Sequence, residues 1–110
     1  MQPEDALIQN IKEYMKNALE SKSKGEHNTA VTLFFKAMAA ICDLYLLKKD
    51  RFLPSSHVHR FRVLESKYPE IYRIIDNTHS VRNIWDKGAE PCSRILRRTS
   101  RQGARPDDLY

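Results

Sequence analysis

The chain has only two cysteines, Cys42 and Cys92, far apart in sequence. Neither a disulfide framework nor a metal-ligand spacing can be built from them, and a reducing cytoplasm is the compartment they fit. The opening MQPEDALIQN is acidic and lacks an apolar run after a basic start, so no signal peptide is expected. No stretch alternates apolar and polar residues as a strand would, and there is no low-complexity tract. An unbroken membrane span is also missing. The longest apolar run is interrupted by Lys36 and Asp43, each costly at a bilayer centre, so no membrane crossing is expected. Nothing points to a small-molecule cofactor or a bound metal.

What is present is helical periodicity. In NTAVTLFFKAMAAICDLYLLKK, residues 28–49, Ala30, Phe34, Ala37, Ile41, Leu44 and Lys48 form one row. Val31, Phe35, Met38, Cys42, Tyr45 and Leu46 form a second row beside it. Two adjacent apolar rows call for neighbours on both flanks, so this helix belongs in the middle of a bundle. Thr29, Thr32, Lys36 and Asp43 are left as a narrow outward stripe, with Ala39 and Ala40 allowing close approach beside it.

The other helices follow from breaks and caps. Pro3, Glu4 and Asp5 suit a first turn, and Leu7, Ile8, Ile11, Tyr14, Met15, Ala18 and Leu19 recur at helical spacing as far as Ser23. SKSKGE reads as a turn, with Gly25 free to adopt a left-handed conformation and Asn28 available as a cap. Pro54 stops the central helix, and Ser55 or Ser56 caps a third helix over about 57–68. This helix has Val58, Phe61 and Leu64 on one face, with His57, His59, Arg60, Arg62 and Lys67 elsewhere. Pro69 opens a fourth helix with Ile71, Ile74, Ile75, Thr78, Val81 and Trp85 in a stripe ending near Gly88. The expected fold is all-α: an antiparallel four-helix up-down bundle over 1–88. Residues 89–110 form a basic tail, either disordered or a short fifth helix with Ile95 and Leu96 docked.

Charge is concentrated in that tail. Of the net +5, residues 1–86 carry 13 basic against 11 acidic side chains, or +2, and residues 87–110 carry 6 against 3, or +3. Arg94, Arg97, Arg98 and Arg101 at helical spacing could neutralise phosphates without reading sequence. A solubilising extension has the same composition. Tyr68, Tyr72 and Trp85, at the margins of their stripes, suit either a dimer interface or the closing of the monomer core.

Gly25, Ala30, Phe34 and Ala37 are spaced as in the second half of a tetratricopeptide unit, but no second copy follows, and close helix packing accounts for the spacing. A broader likeness covers Ala6 to about Gly88. The central HNTAVTLFFKAMAAICDLYLLKK, the proline-ended SSHVHRFRVLESKYPE and a fourth helix carrying Arg82 and Asn83 together resemble the HEPN family of small helical bundles. That resemblance implies binding of RNA or a nucleotide. It also implies homodimers, and partners such as an antitoxin or a minimal nucleotidyltransferase. Members that keep the catalytic signature are metal-independent ribonucleases. The signature is an arginine, a polar residue and a histidine after about four to six intervening residues. Arg82 and Asn83 match its first half, whereas 87–89 are Lys87, Gly88 and Ala89. Arg73 with His79 has the spacing but is followed by Ile74, and six residues along a helix set two side chains about 120° apart.

Metal-free RNA cleavage needs a group that moves protons near neutral pH and a cation for the phosphorane-like transition state. By resemblance, Arg82, His79 and Arg73 are the catalytic candidates. Asn83, His57, His59, Arg62, Arg94, Arg97 and Arg98 are the binding candidates. A hairpin about Pro69 brings His59 and His79 to one level. A solvated face of histidines and arginines has the same pattern, and the alternative function is a non-catalytic interaction module. His57 and His59, two apart on a helix, point away from each other and make a poor metal pair.

Overall fold

A computed structural model describes residues 3–76, 84 and 89–100 of the chain. Within them are five helices and no strand: α1 (Pro3–Ser23), α2 (His27–Asp50), α3 (His57–Lys67), α4 (Pro69–Asp76) and α5 (Ala89–Ser100). The protein is an all-α helical bundle organised on α2.

In α1, Pro3, Glu4 and Asp5 occupy the first turn, and Ile11, Met15 and Ala18 are buried at the expected spacing. Leu19, read as part of that stripe, is exposed instead. Gly25 sits at φ +74°, while the Gly25 N–H donates to Lys22 O (3.1 Å) and the Glu26 N–H to Ser21 O (2.9 Å). These two bonds close a Schellman turn, which needs a left-handed residue at Gly25. The turn leads directly into α2 at His27, so Asn28 lies inside the helix rather than capping it, and Glu26 in the cap position makes no side-chain cap bond.

At 24 residues α2 is about 36 Å long. By length and composition alone it could cross a membrane, but most of it is buried inside the bundle. Its apolar rows pack against α1 on one flank and α5 on the other. Phe34, Ile41, Leu44 and Leu46 are fully buried. Lys48 Nζ meets Glu4 Oε1 at 2.5 Å, tying the end of α2 to the start of α1 and fixing the pair as antiparallel. Arg51, left-handed at φ 54°, ends α2 by donating its N–H to Leu47 O.

Ser56 caps α3 by accepting the His59 N–H at 3.1 Å. Tyr68 alone separates α3 from α4, which starts at Pro69, where the missing N–H costs nothing. Ile71, Ile74 and Ile75 bury the inner face of α4, and Ile84 also lies in the core. Thr78, Val81 and Trp85, the rest of the expected stripe, lie outside the described residues. The fifth helix, left open above, is present. Cys92, Ile95, Leu96 and Thr99 form its buried face against α2 and α4, so the bundle core extends past residue 88. Thr99 donates its hydroxyl to Ile95 O (2.9 Å), which satisfies the one buried polar group on that face.

Candidate functional site

Asp43 does not belong to an outward stripe, nor Arg60 to an outer face. Arg60 is 8% exposed, and its guanidinium grips Asp43 with two bonds, Nε to Oδ1 at 2.6 Å and Nη2 to Oδ2 at 2.9 Å. This side-on fork is the strong geometry for an arginine and a carboxylate, and it clamps α3 onto the middle of α2. The third guanidinium group, Nη1, lies 2.6 Å from His57 Nδ1. His57 itself is exposed and rests on the ring of Phe35, with centroids 5.7 Å apart.

Phe35 belongs to a cleft of about 290 Å³ between α2, α3 and α4, lined by Phe35, Phe61, Tyr72, Ile75 and Asp76. Among the described residues its lining is mostly apolar, with three aromatic side chains. Next to it, a shallower hollow shares Phe61 and Tyr72 and adds Val58, Arg62 and Glu65. Tyr72 is shared by the two hollows, and the Glu65 carboxylate, by hydrogen bonding and charge, holds its phenol above the ordinary pKa. Val58 is 61% exposed there. Arg62 is exposed on the same hollow.

None of the remaining described candidates lines either hollow. His59 turns the other way from His57, as residues two apart must. Its Nδ1 accepts the Ser55 N–H (3.2 Å) and its ring meets Phe52 edge-on at 5.2 Å, so it braces the loop before α3. Arg73, Arg94 and Arg97 are exposed. Arg98 is half-buried and lies close enough to Tyr45 that, against the larger upward effect of burial, it lowers the phenol's pKa. Arg82, Asn83 and His79 lie outside the described residues.

A second polar cluster, unread in the sequence, sits at the end of α2. Tyr68 donates its hydroxyl to Asp50 Oδ1 (2.7 Å), Lys67 reaches Oδ2 (3.3 Å), and Tyr45 packs edge-on against Tyr68 at 5.1 Å. The Tyr68 bond is the main reason that Asp50 is held below the usual carboxylate range. Burial, then the Asp50 bond, pushes Tyr68 up to about 12. Both cysteines are buried. Burial pushes the Cys92 thiol up to about 12 and Cys42 well above the ordinary thiol range. Among the described residues no group of His, Cys, Asp and Glu could hold a metal ion.

Comparison with family models, curated proteins and solved structures finds no match to this chain. Its class is therefore defined by the fold: an all-α bundle with an aromatic cleft beside a clamped arginine.

Proposed function

We propose that this chain is a HEPN-like helical domain that binds RNA or a nucleotide, with the α2–α3–α4 cleft as the place where a base is held. The observation that carries this reading is the convergence of Phe35, Phe61 and Tyr72 on one cleft, with Arg62 on the adjoining hollow. Proteins that recognise single-stranded RNA stack unpaired bases on aromatic rings and meet the backbone with cations. Exposed Arg73, Arg94 and Arg97 add sequence-independent attraction for phosphate. Any cleavage belongs, by the family resemblance, to Arg82, His79 and Arg73, with Asn83 following Arg82 in sequence as a binding residue, and proceeds without metal.

The test is fluorescence anisotropy of a labelled, mixed-sequence single-stranded RNA, followed by incubation in chelator and a denaturing gel. Phe61→Ala, checked for folding by circular dichroism, removes one stacking platform and is expected to weaken binding by about tenfold. Absence of binding by the parent at low salt refutes the reading.

The second reading is a non-catalytic interaction module, supported by Val58. An aliphatic side chain 61% exposed beside Phe61 and Tyr72 extends the apolar surface of the cleft outwards. In this reading the occupant is a second copy of the chain, or an antitoxin or nucleotidyltransferase partner. Sedimentation equilibrium separates the cases: a dimer that Val58→Asp converts to monomer supports the module.

A further inference from the structure

The Arg60 guanidinium has three engaged nitrogens. Nε and Nη2 are held by Asp43, and Nη1 lies 2.6 Å from His57 Nδ1. A guanidinium has donors and no acceptor, so Nδ1 must supply a lone pair to Nη1. With Nδ1 as the acceptor, the N–H of the ring is at Nε2. The Asp43 fork fixes the guanidinium plane, so the direction from which His57 is approached is fixed as well.

This reverses the polarity of a proton relay. In a carboxylate–histidine–hydroxyl arrangement the carboxylate accepts from Nδ1–H, which leaves Nε2 as a base. Here a cation donates to Nδ1, which leaves Nε2–H as a donor on an exposed ring seated against Phe35 of the cleft. We propose that His57 is a dedicated hydrogen-bond donor to an oxygen of the bound nucleotide, not a proton acceptor, and that Arg60 and Asp43 are the positioning residues that hold it in that form. A neutral imidazole offered as a donor is established enzyme chemistry for an oxygen acceptor. The acceptor is a phosphoryl oxygen or a base carbonyl. The proposal rests on the reading of the cleft as an RNA or nucleotide site.

The experiment uses the full chain, ¹⁵N-labelled, and a long-range ¹H–¹⁵N spectrum of the histidine rings at neutral pH, with His57 assigned by its loss in His57→Gln. The expected pattern is the Nε2–H tautomer without ligand. An Nδ1–H tautomer or a doubly protonated ring overturns the proposal. Binding of the single-stranded RNA is then compared in two variants. His57→Leu is expected to weaken it about fivefold to tenfold, the value of one hydrogen bond, whereas His57→Gln, which keeps an amide donor, stays near the parent. Equal loss in both variants overturns the donor role. Uridine and inorganic phosphate, titrated separately while the Nε2 signal is followed, distinguish a base carbonyl from a phosphoryl oxygen. If the parent binds no RNA, the cleft reading fails, while the spectrum still decides whether the donor is locked. A locked donor in a protein that binds neither RNA nor either probe refutes the assigned acceptor.

Discussion

Replacing Asp43 with alanine leaves the Arg60 guanidinium against α2 with its fork empty. Side-chain exposures of 10% for Arg60 and 16% for Asp43 place the pair near the buried limit, where removing one partner costs about 3–5 kcal/mol. The residual water access, and the freedom of a long side chain to swing outward, bring the expectation for Asp43→Ala to about 2–3 kcal/mol. In a domain of this size that is a drop in Tm of roughly 10–20 °C. Urea denaturation followed by circular dichroism reads it as a lower midpoint with unchanged slope. The double variant Asp43→Leu with Arg60→Met removes both charges and keeps the volume apolar. It is expected to recover most of the loss, because an apolar pair of similar size replaces a buried ion pair at little cost. A cost under about 0.5 kcal/mol for Asp43→Ala would refute the clamp and return the pair to the class of exposed salt bridges.

Other expectations concern the rest of the fold. Ile95→Ala should cost about 2–5 kcal/mol by calorimetry, since Ile95 is fully buried between α5 and the bundle; a change near zero would mean that α5 is not docked. Tyr68→Phe should cost about 1 kcal/mol at neutral pH and alter both limbs of the stability–pH profile. Asp50, lowered in the fold, stabilises above its unfolded pKa near 4, and that contribution is lost as pH falls through the folded value. Tyr68, raised in the fold, stabilises below its unfolded pKa near 10, and that contribution is lost as pH rises through about 12. The phenylalanine variant should therefore show flatter acid and alkaline limbs, and an unchanged profile would contradict the Tyr68–Asp50 bond. Cys42 and Cys92, buried and protonated, should react with a disulfide reagent only at the rate of unfolding; fast labelling of the native protein would contradict their burial.

The central helix was legible because two apolar rows on one helix have a single economical solution, a place between neighbours. The Arg60–Asp43 clamp was not, since a charge in a helical pattern looks the same whether it meets water or a partner. One signal was available. Asp43 stands between Cys42 and Leu44 in the most apolar stretch of the chain, and a charge in such a place requires a counter-charge from another element. The fifth helix is hard to see in the sequence because Ile95 and Leu96 are the only large apolar residues in its span. Cys92, Ile95, Leu96 and Thr99 fall at i, i+3, i+4 and i+7, a complete helical stripe once the small cysteine and the threonine methyl are included. The cleft joins residues of three helices, and no periodicity along one helix could display it. Arg98 is half-buried where Arg94, four residues before it, is exposed, a difference that helical spacing alone does not display.

The claim that a base is held among Phe35, Phe61 and Tyr72 is tested most directly by a titration of the ¹³C,¹⁵N-labelled protein with a short single-stranded RNA, following the aromatic and Ile75 methyl signals. Saturable shifts concentrated on Phe35, Phe61, Tyr72 and Ile75 are the expected result. Shifts confined to the exposed arginines of α5, with the cleft signals unmoved, would contradict it.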